Sequence, residues 1–165
     1  MSNSVGSKVN TARVLALLAL ALAAPQASAE CGQLLGTWRS DHERTMTFNR
    51  TYSKLEEGQD RFLAAIIGHM TLEFSADELL LRMPDTQVPV GGETKPFFGF
   101  EQKKPYKILH CDSRSVVIES PEPVTGENGV TTYFFVGHDE MWAYIGTNSN
   151  RVPDLHFREY FRRTR

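Results

Sequence analysis

The chain has 165 residues, of which 41% are hydrophobic, 10% aromatic and 23% charged. Those values exclude a wholly disordered or collagen-like chain and suit one globular core. The formal charge is −2, and no basic run occurs before the last few residues, so nucleic acid is not an expected partner.

Met1 to Ala29 carries two basic residues, Lys8 and Arg13, and no Asp or Glu. An eleven-residue apolar run, Val14 to Ala24, leads to Pro25 and then to Ala27-Ser28-Ala29. That order of basic, apolar and small residues predicts a secretory signal peptide cleaved after Ala29. The run is too short to span a bilayer, and no later segment is long enough to do so. The predicted product is a single domain, 30–165, periplasmic or secreted, without a membrane span. Loss of Lys8 and Arg13 leaves 16 basic against 20 acidic side chains, a charge of −4. Cys31 and Cys111 are the two cysteines. In an oxidising compartment they are expected to pair.

The opening strand is read over Leu34 to Phe48, bent near Asp41-His42-Glu43. Ser53-Lys54-Leu55-Glu56 then matches a capping box. Tyr52, Leu55, Phe62, Leu63, Ile66 and Ile67 fall on one helical stripe, and Gly68 suits a left-handed stop. One amphipathic helix between strands 1 and 2 is therefore predicted. Period-two alternation follows. Met70, Leu72 and Phe74 form one run, and Leu79, Leu81 and Met83 the next. Phe98 and Phe100, then Tyr106, Ile108 and His110, then Val116 and Ile118 continue it. Thr132, Phe134 and Val136 precede a turn at Gly137–Glu140. Met141 to Ile145 returns, and Leu155 to Arg163 closes the chain. Two polar, proline-bearing stretches, 84–96 and 121–129, are read as strand connections at a barrel mouth, able to meet a ligand or a partner. Eight antiparallel strands in so short a chain favour closure, which removes unpaired edges.

The first strand reads Leu34-Leu35-Gly36-Thr37-Trp38-Arg39-Ser40. This Gly-x-Trp resembles the opening of lipocalins and the wider calycin superfamily, in the manner of a small bacterial secreted lipocalin-like protein. The resemblance implies an eight-stranded up-and-down barrel, with the tryptophan across the closed end and a late arginine stacked over it. Parity favours Arg163, and Arg158 is the alternative if a bulge shifts the register. Two features depart from the family pattern. The later Thr-Asp-Tyr signature is reduced to Thr131-Thr132-Tyr133, and the helix precedes most of the barrel instead of following it.

The expected function is non-catalytic binding of a small hydrophobic or amphipathic ligand. Phe74, Phe98, Phe100, Tyr106, Phe134 and Tyr144 are the candidate lining of a hollow barrel; the alternative is a barrel plugged by its own large side chains. A protein-interaction or inhibitor module, engaging an envelope or secreted protein, is the alternative. Enzyme chemistry would have to use scattered carboxylates such as Asp41, Glu43 or Glu119. The sequence contains no nucleophile elbow, Walker loop or zinc-protease motif. His42, His69, His110, His138 and His156 show no short ligand spacing. No cofactor and no metal are expected, and the protein is expected to be monomeric. Asn49-Arg50-Thr51 fits a glycosylation acceptor pattern.

Overall fold

A computed structural model describes residues 31–121, 128–144 and 157–165. The leader 1–29, Leu155, His156, Ile145 and most of the 121–129 connection lie outside the described residues. Eleven strands are present among the described residues. They are β1 Gly36–Ser40, β2 Thr71–Phe74, β3 Glu78–Met83, β4 Thr86–Val90, β5 Glu93–Phe97, β6 Phe100–Pro105, β7 Lys107–Cys111, β8 Ser115–Pro121, β9 Asn128–Phe135, β10 Glu140–Tyr144 and β11 Arg158–Arg163. Helices α1 (His42–Tyr52) and α2 (Glu57–Ile66) both lie between β1 and β2.

Nine strands form one antiparallel sheet in the order β6-β3-β2-β1-β11-β10-β9-β8-β7. The sheet curls into a nearly closed barrel. The sheet has nine strands, not the expected eight, and the chain bends between β6 and β7. The first half of that stretch pairs with β3 and the second half with β8. Tyr106 occupies the corner, with its N–H bonded to Asp77 O and its hydroxyl donating to Ser75 O. Lys104 Nζ reaches from β6 to Pro121 O at the end of β8, 3.2 Å away. One bent stretch of chain thus takes both edge positions, which leaves little edge to recruit another sheet.

Alternation is the rule inside. Trp38 faces Leu72 on one side and Arg163 on the other, and Leu72 in turn pairs with Leu81. Tyr133, Ala143 and Val116 share that face through the β8-β9-β10 register. Leu34, Trp38, Leu72, Phe74, Leu79, Ile118, Tyr133, Met141 and Phe161 pack as one buried cluster. These side chains pack together in the interior, as narrow eight-stranded barrels also allow.

The Gly-x-Trp segment packs against the last strand. Trp38 is fully buried and donates from Nε1 to Leu34 O. The Arg163 guanidinium lies 4.2 Å from its ring centroid. That cation also donates to Gln33 O, Leu35 O and His138 O, so its head is fully engaged while its plane covers the indole. Gly36 has φ 114°, and a Cβ there would lie 2.5 Å from Arg165 O, so no other residue fits. Cys31 and Cys111 form a disulfide across a separation of 80 residues and fasten the opening turn, Cys31–Leu34, to β7.

The connection between β1 and β2 differs from expectation. The opening strand stops at Ser40, because Asp41 caps α1 by accepting the Arg44 N–H at 3.0 Å. Ser53 is the C-cap of α1, not an N-cap, and its N–H bonds to Asn49 O. The capping box lies three residues later, where Gln59 accepts from the Glu56 N–H that precedes α2. The single expected helix is therefore two. Gly68, with φ 92°, does end the second; a Cβ there would meet His42 Cβ at 2.8 Å.

Helix α1 also does the work of a strand. Beyond Ser40, β11 has no β1 partner. Asn49 Nδ2 donates to Arg158 O and its Oδ1 accepts from Arg158 N, while Thr45 Oγ1 accepts from Tyr160 N. Thr45 and Asn49 are one helical turn apart and fully buried. Burial also takes Asn49 out of reach of a glycosyl donor in the folded protein. Asn49→Ala leaves two backbone groups of β11 unpaired, and the expected loss is about 2–4 kcal/mol of stability by urea unfolding. A loss within error of zero would show that β11 finds other partners.

The 84–96 stretch, expected to be an open connection, is largely the hairpin β4–β5. It closes through Gly91 and Gly92, both at positive φ (63° and 86°), as a two-residue turn demands. Pro89 and Pro96 oppose Thr94 and Gln87. Proline without an N–H sits in a ladder only where the donor would point away from the partner, so the two prolines blunt the outer edges of the arm.

Candidate functional site

The hairpin arm folds back on α2. Phe62 of α2 meets Phe97 of β5 edge-on, centroids 6.4 Å apart, and Val88 is buried. Between the first turns of α2 and the tip of the arm lies a cleft of about 620 Å³. Leu55, Phe62 and Leu63 form one wall, Pro89 and Val90 the other. Gly58 also lines the cleft, and a Cβ there would meet nothing within 4 Å. Polar groups stand at the rim. Arg61 is paired with Glu57 at 2.8 Å, and Glu93 with Lys95 at 3.5 Å. An apolar channel with a sparse polar rim has the size and character of a site for a small molecule.

The six aromatic residues expected to line a cavity occupy three places. Phe74 and Tyr106 touch in the core, centroids 5.6 Å apart, with Tyr133 completing the group. Phe98 and Phe100 lie where the arm rejoins the sheet, and Phe98 is 78% exposed. Phe134 and Tyr144 lie on the outer face, on either side of Trp142, which stacks on Phe134 at 4.2 Å. The stripe of α2 was legible as amphipathic, and the 84–96 stretch as a recognition surface. Nothing in the sequence joined the two into one cleft.

Arg158, the alternative partner for Trp38, points outward. Its guanidinium lies between Phe48 (4.4 Å) and Trp142 (4.1 Å), with Tyr144 at 5.0 Å, and donates to the Tyr144 hydroxyl. This stack clamps α1 to the sheet through cation–π attraction.

The candidate carboxylates do not converge. Asp41 caps α1 and pairs with Arg162, Glu43 is exposed in the first turn of α1, and Glu119 lies on β8. Of the histidines, His42 Nδ1 donates to Ile67 O at 3.0 Å, His110 approaches Asp112 at 3.6 Å, and His138 lies in the β9–β10 turn. Among the described residues no three His, Cys, Asp or Glu side chains are grouped to hold a metal ion.

A carboxylate not singled out from the sequence stands inside the barrel. Glu159 is 3% exposed and accepts a hydrogen bond from Ser40 Oγ. Burial pushes its pKa up to about 7, against the pull of the Ser40 hydroxyl. The same Ser40 oxygen accepts the Gly68 N–H at 2.9 Å. One hydroxyl thereby links the start and the end of the helical insertion to a buried acid. Burial likewise raises the pKa of Tyr133, whose ring shares the core with Phe74, and the nearby Glu159 charge adds to that rise.

No protein-family model matches the chain, and neither does any curated protein. Among the described residues, no helix is long and apolar enough to cross a membrane.

Proposed function

We propose that the protein is a non-catalytic, lipocalin-like barrel that holds a small hydrophobic or amphipathic molecule in the cleft between α2 and the β4–β5 arm. One observation carries this reading. The cleft has a largely apolar lining and a ligand-sized volume of about 620 Å³, whereas large side chains pack together inside the barrel. The ligand site is thereby moved from the barrel lumen to its flank. Kinship with calycins is supported by the barrel, by the buried Trp38 under Arg163, and by the steric need for Gly36. Export is supported by the Cys31–Cys111 bond, since disulfides persist in oxidising compartments.

Gly58→Leu tests the site. A side chain at this lining position meets no steric block, so the substitution crowds the cleft without disturbing the packing beneath it. Displacement of a fluorescent naphthylamine probe by medium-chain fatty acids is the assay. The expected result is saturable binding to the native protein, at least about tenfold weaker in the variant, with no loss of melting temperature. Equal binding by both proteins, or none by the native one, overturns the reading.

A second reading rests on Phe98. At 78% exposure, two residues from Phe100 at 41%, it presents apolar surface where a partner protein can sit. Under that reading Phe98→Ser abolishes capture of the partner and leaves probe binding intact.

A further inference from the structure

We propose that the groove between α1 and the outer face of β11 binds a neutral oligosaccharide. The site shares no residue with the α2 cleft and does not depend on it.

Helical spacing builds one wall. Glu43, Thr47 and Thr51 recur every fourth residue and form a polar row. Arg44, Phe48 and Tyr52 form the adjacent row, one residue on. Tyr160 and Arg162 of β11 supply the opposite wall, and the groove measures about 560 Å³. The third row of α1, Thr45 and Asn49, is spent on the β11 backbone, so α1 cannot rotate and the two outer rows hold their places.

The chemistry of the walls selects the ligand. Arg44 is tied to Glu140 and Arg162 to Asp41, so the cations bring little net field and hold their remaining N–H donors in fixed directions. Glu43 and Thr47 are exposed, and among the described residues their side chains make no hydrogen bond. Tyr52 is 69% exposed and propped against Phe48 at 4.9 Å, an aromatic ring offered to solvent at a held angle. A pyranose has an apolar C–H face for such a ring and a rim of hydroxyls that donate and accept. Bidentate carboxylate and guanidinium groups suit that rim. A phosphate or sulfate would find both arginines already neutralised, and an alkyl chain would find too many polar neighbours.

Behind the groove, and not lining it, two buried side-chain atoms, Glu140 Oε1 and Arg158 Nε, have no hydrogen-bond partner among the described residues. Glu140 is held by Arg44, and Arg158 is packed against Phe48. Unpaired buried polar atoms are rare in native proteins and mark networks that water or a ligand completes.

The test titrates isotope-labelled protein with chitotetraose, cellotetraose and maltotetraose, with a sulfated heparin disaccharide as the charged comparison. The expected result is saturation by at least one neutral sugar, with amide shifts confined to Glu43–Tyr52 and Tyr160–Arg162. Tyr52→Ala is expected to weaken binding about tenfold, the scale of one lost aromatic stack. Thr47→Val, which keeps shape and removes the hydroxyl, reads the polar row even if Tyr52→Ala disturbs α1, and is expected to weaken binding about fivefold. Gly58→Leu, on α2, leaves sugar binding unchanged. No saturation by a neutral sugar at millimolar concentration, shifts elsewhere, or preference for the sulfated sugar overturns the proposal.

Discussion

Replacing Cys31 and Cys111 together by serine is expected to cost about 4–5 kcal/mol of stability, the closure entropy of an 80-residue loop. The loss has a local face as well. Cys31 begins the turn that carries Leu34, which is fully buried and whose carbonyl accepts the Trp38 indole N–H. Without the bond this turn frays, and Trp38 loses both its hydrogen-bond partner and the covering residue. The variant is therefore expected to show a lower urea midpoint and a red-shifted tryptophan emission that precedes global unfolding. Trp142 lies on the outer face, so Trp142→Phe in the same background assigns the signal to Trp38. A midpoint unchanged by the double substitution would mean that the N-terminal turn holds by packing alone.

Glu159 sets the second large effect, on pH dependence. Its pKa is about 7 in the folded chain, raised mainly by burial, against 4.5 for an ordinary glutamate. Below about pH 4.5 the carboxyl is protonated whether folded or unfolded, and its contribution to stability is fully present. From there to about 7 the folded chain holds a proton that the unfolded chain has released, so stability falls as pH rises. Above 7 both forms are ionised and the fall stops. The whole interval corresponds to roughly 3 kcal/mol. Glu159→Gln keeps an acceptor for Ser40 Oγ and removes the charge. The variant is expected to gain roughly 2–3 kcal/mol over the native protein at pH 8 and to match it near pH 4.5. Urea midpoints at the two pH values measure this. Parallel pH profiles for the two proteins would show that the buried acid finds solvent or a compensating charge.

Much of the barrel was legible because each strand shows one face to the core. Leu72 and Phe74, Leu79 and Met83, and Val116 and Ile118 alternate with outward residues, and period two reads directly as strand. Helix α1 was missed for a related reason. Its buried row includes Thr45 and Asn49, polar residues satisfied by the β11 backbone, so hydrophobic periodicity is blind to it. The β4–β5 arm was missed because its prolines read as loop, although each stands where a strand tolerates one. The candidate lining failed to gather because parity alone cannot say which face is inward. Phe134 and Tyr144 alternate with Tyr133 and Ala143, and it is the second pair that enters the core. Trp38 and Arg163 meet because the first and last strands pair in regular register.

The neck of the β4–β5 arm has a consequence for modularity. Met83 pairs directly with Phe100, so the sheet is complete before the arm departs and after it returns. Gly99 N–H is held by Asp85 Oδ1 at 2.7 Å, and a Cβ at Gly99 would lie 2.3 Å from Met83 O, which pinches the two stems together. The arm is an appendage on a finished scaffold, much as an antibody loop is. Grafting another hairpin between Pro84 and Gly99 would exchange one wall of the cleft, and hence the molecules admitted, while every rung of the barrel stays where it is.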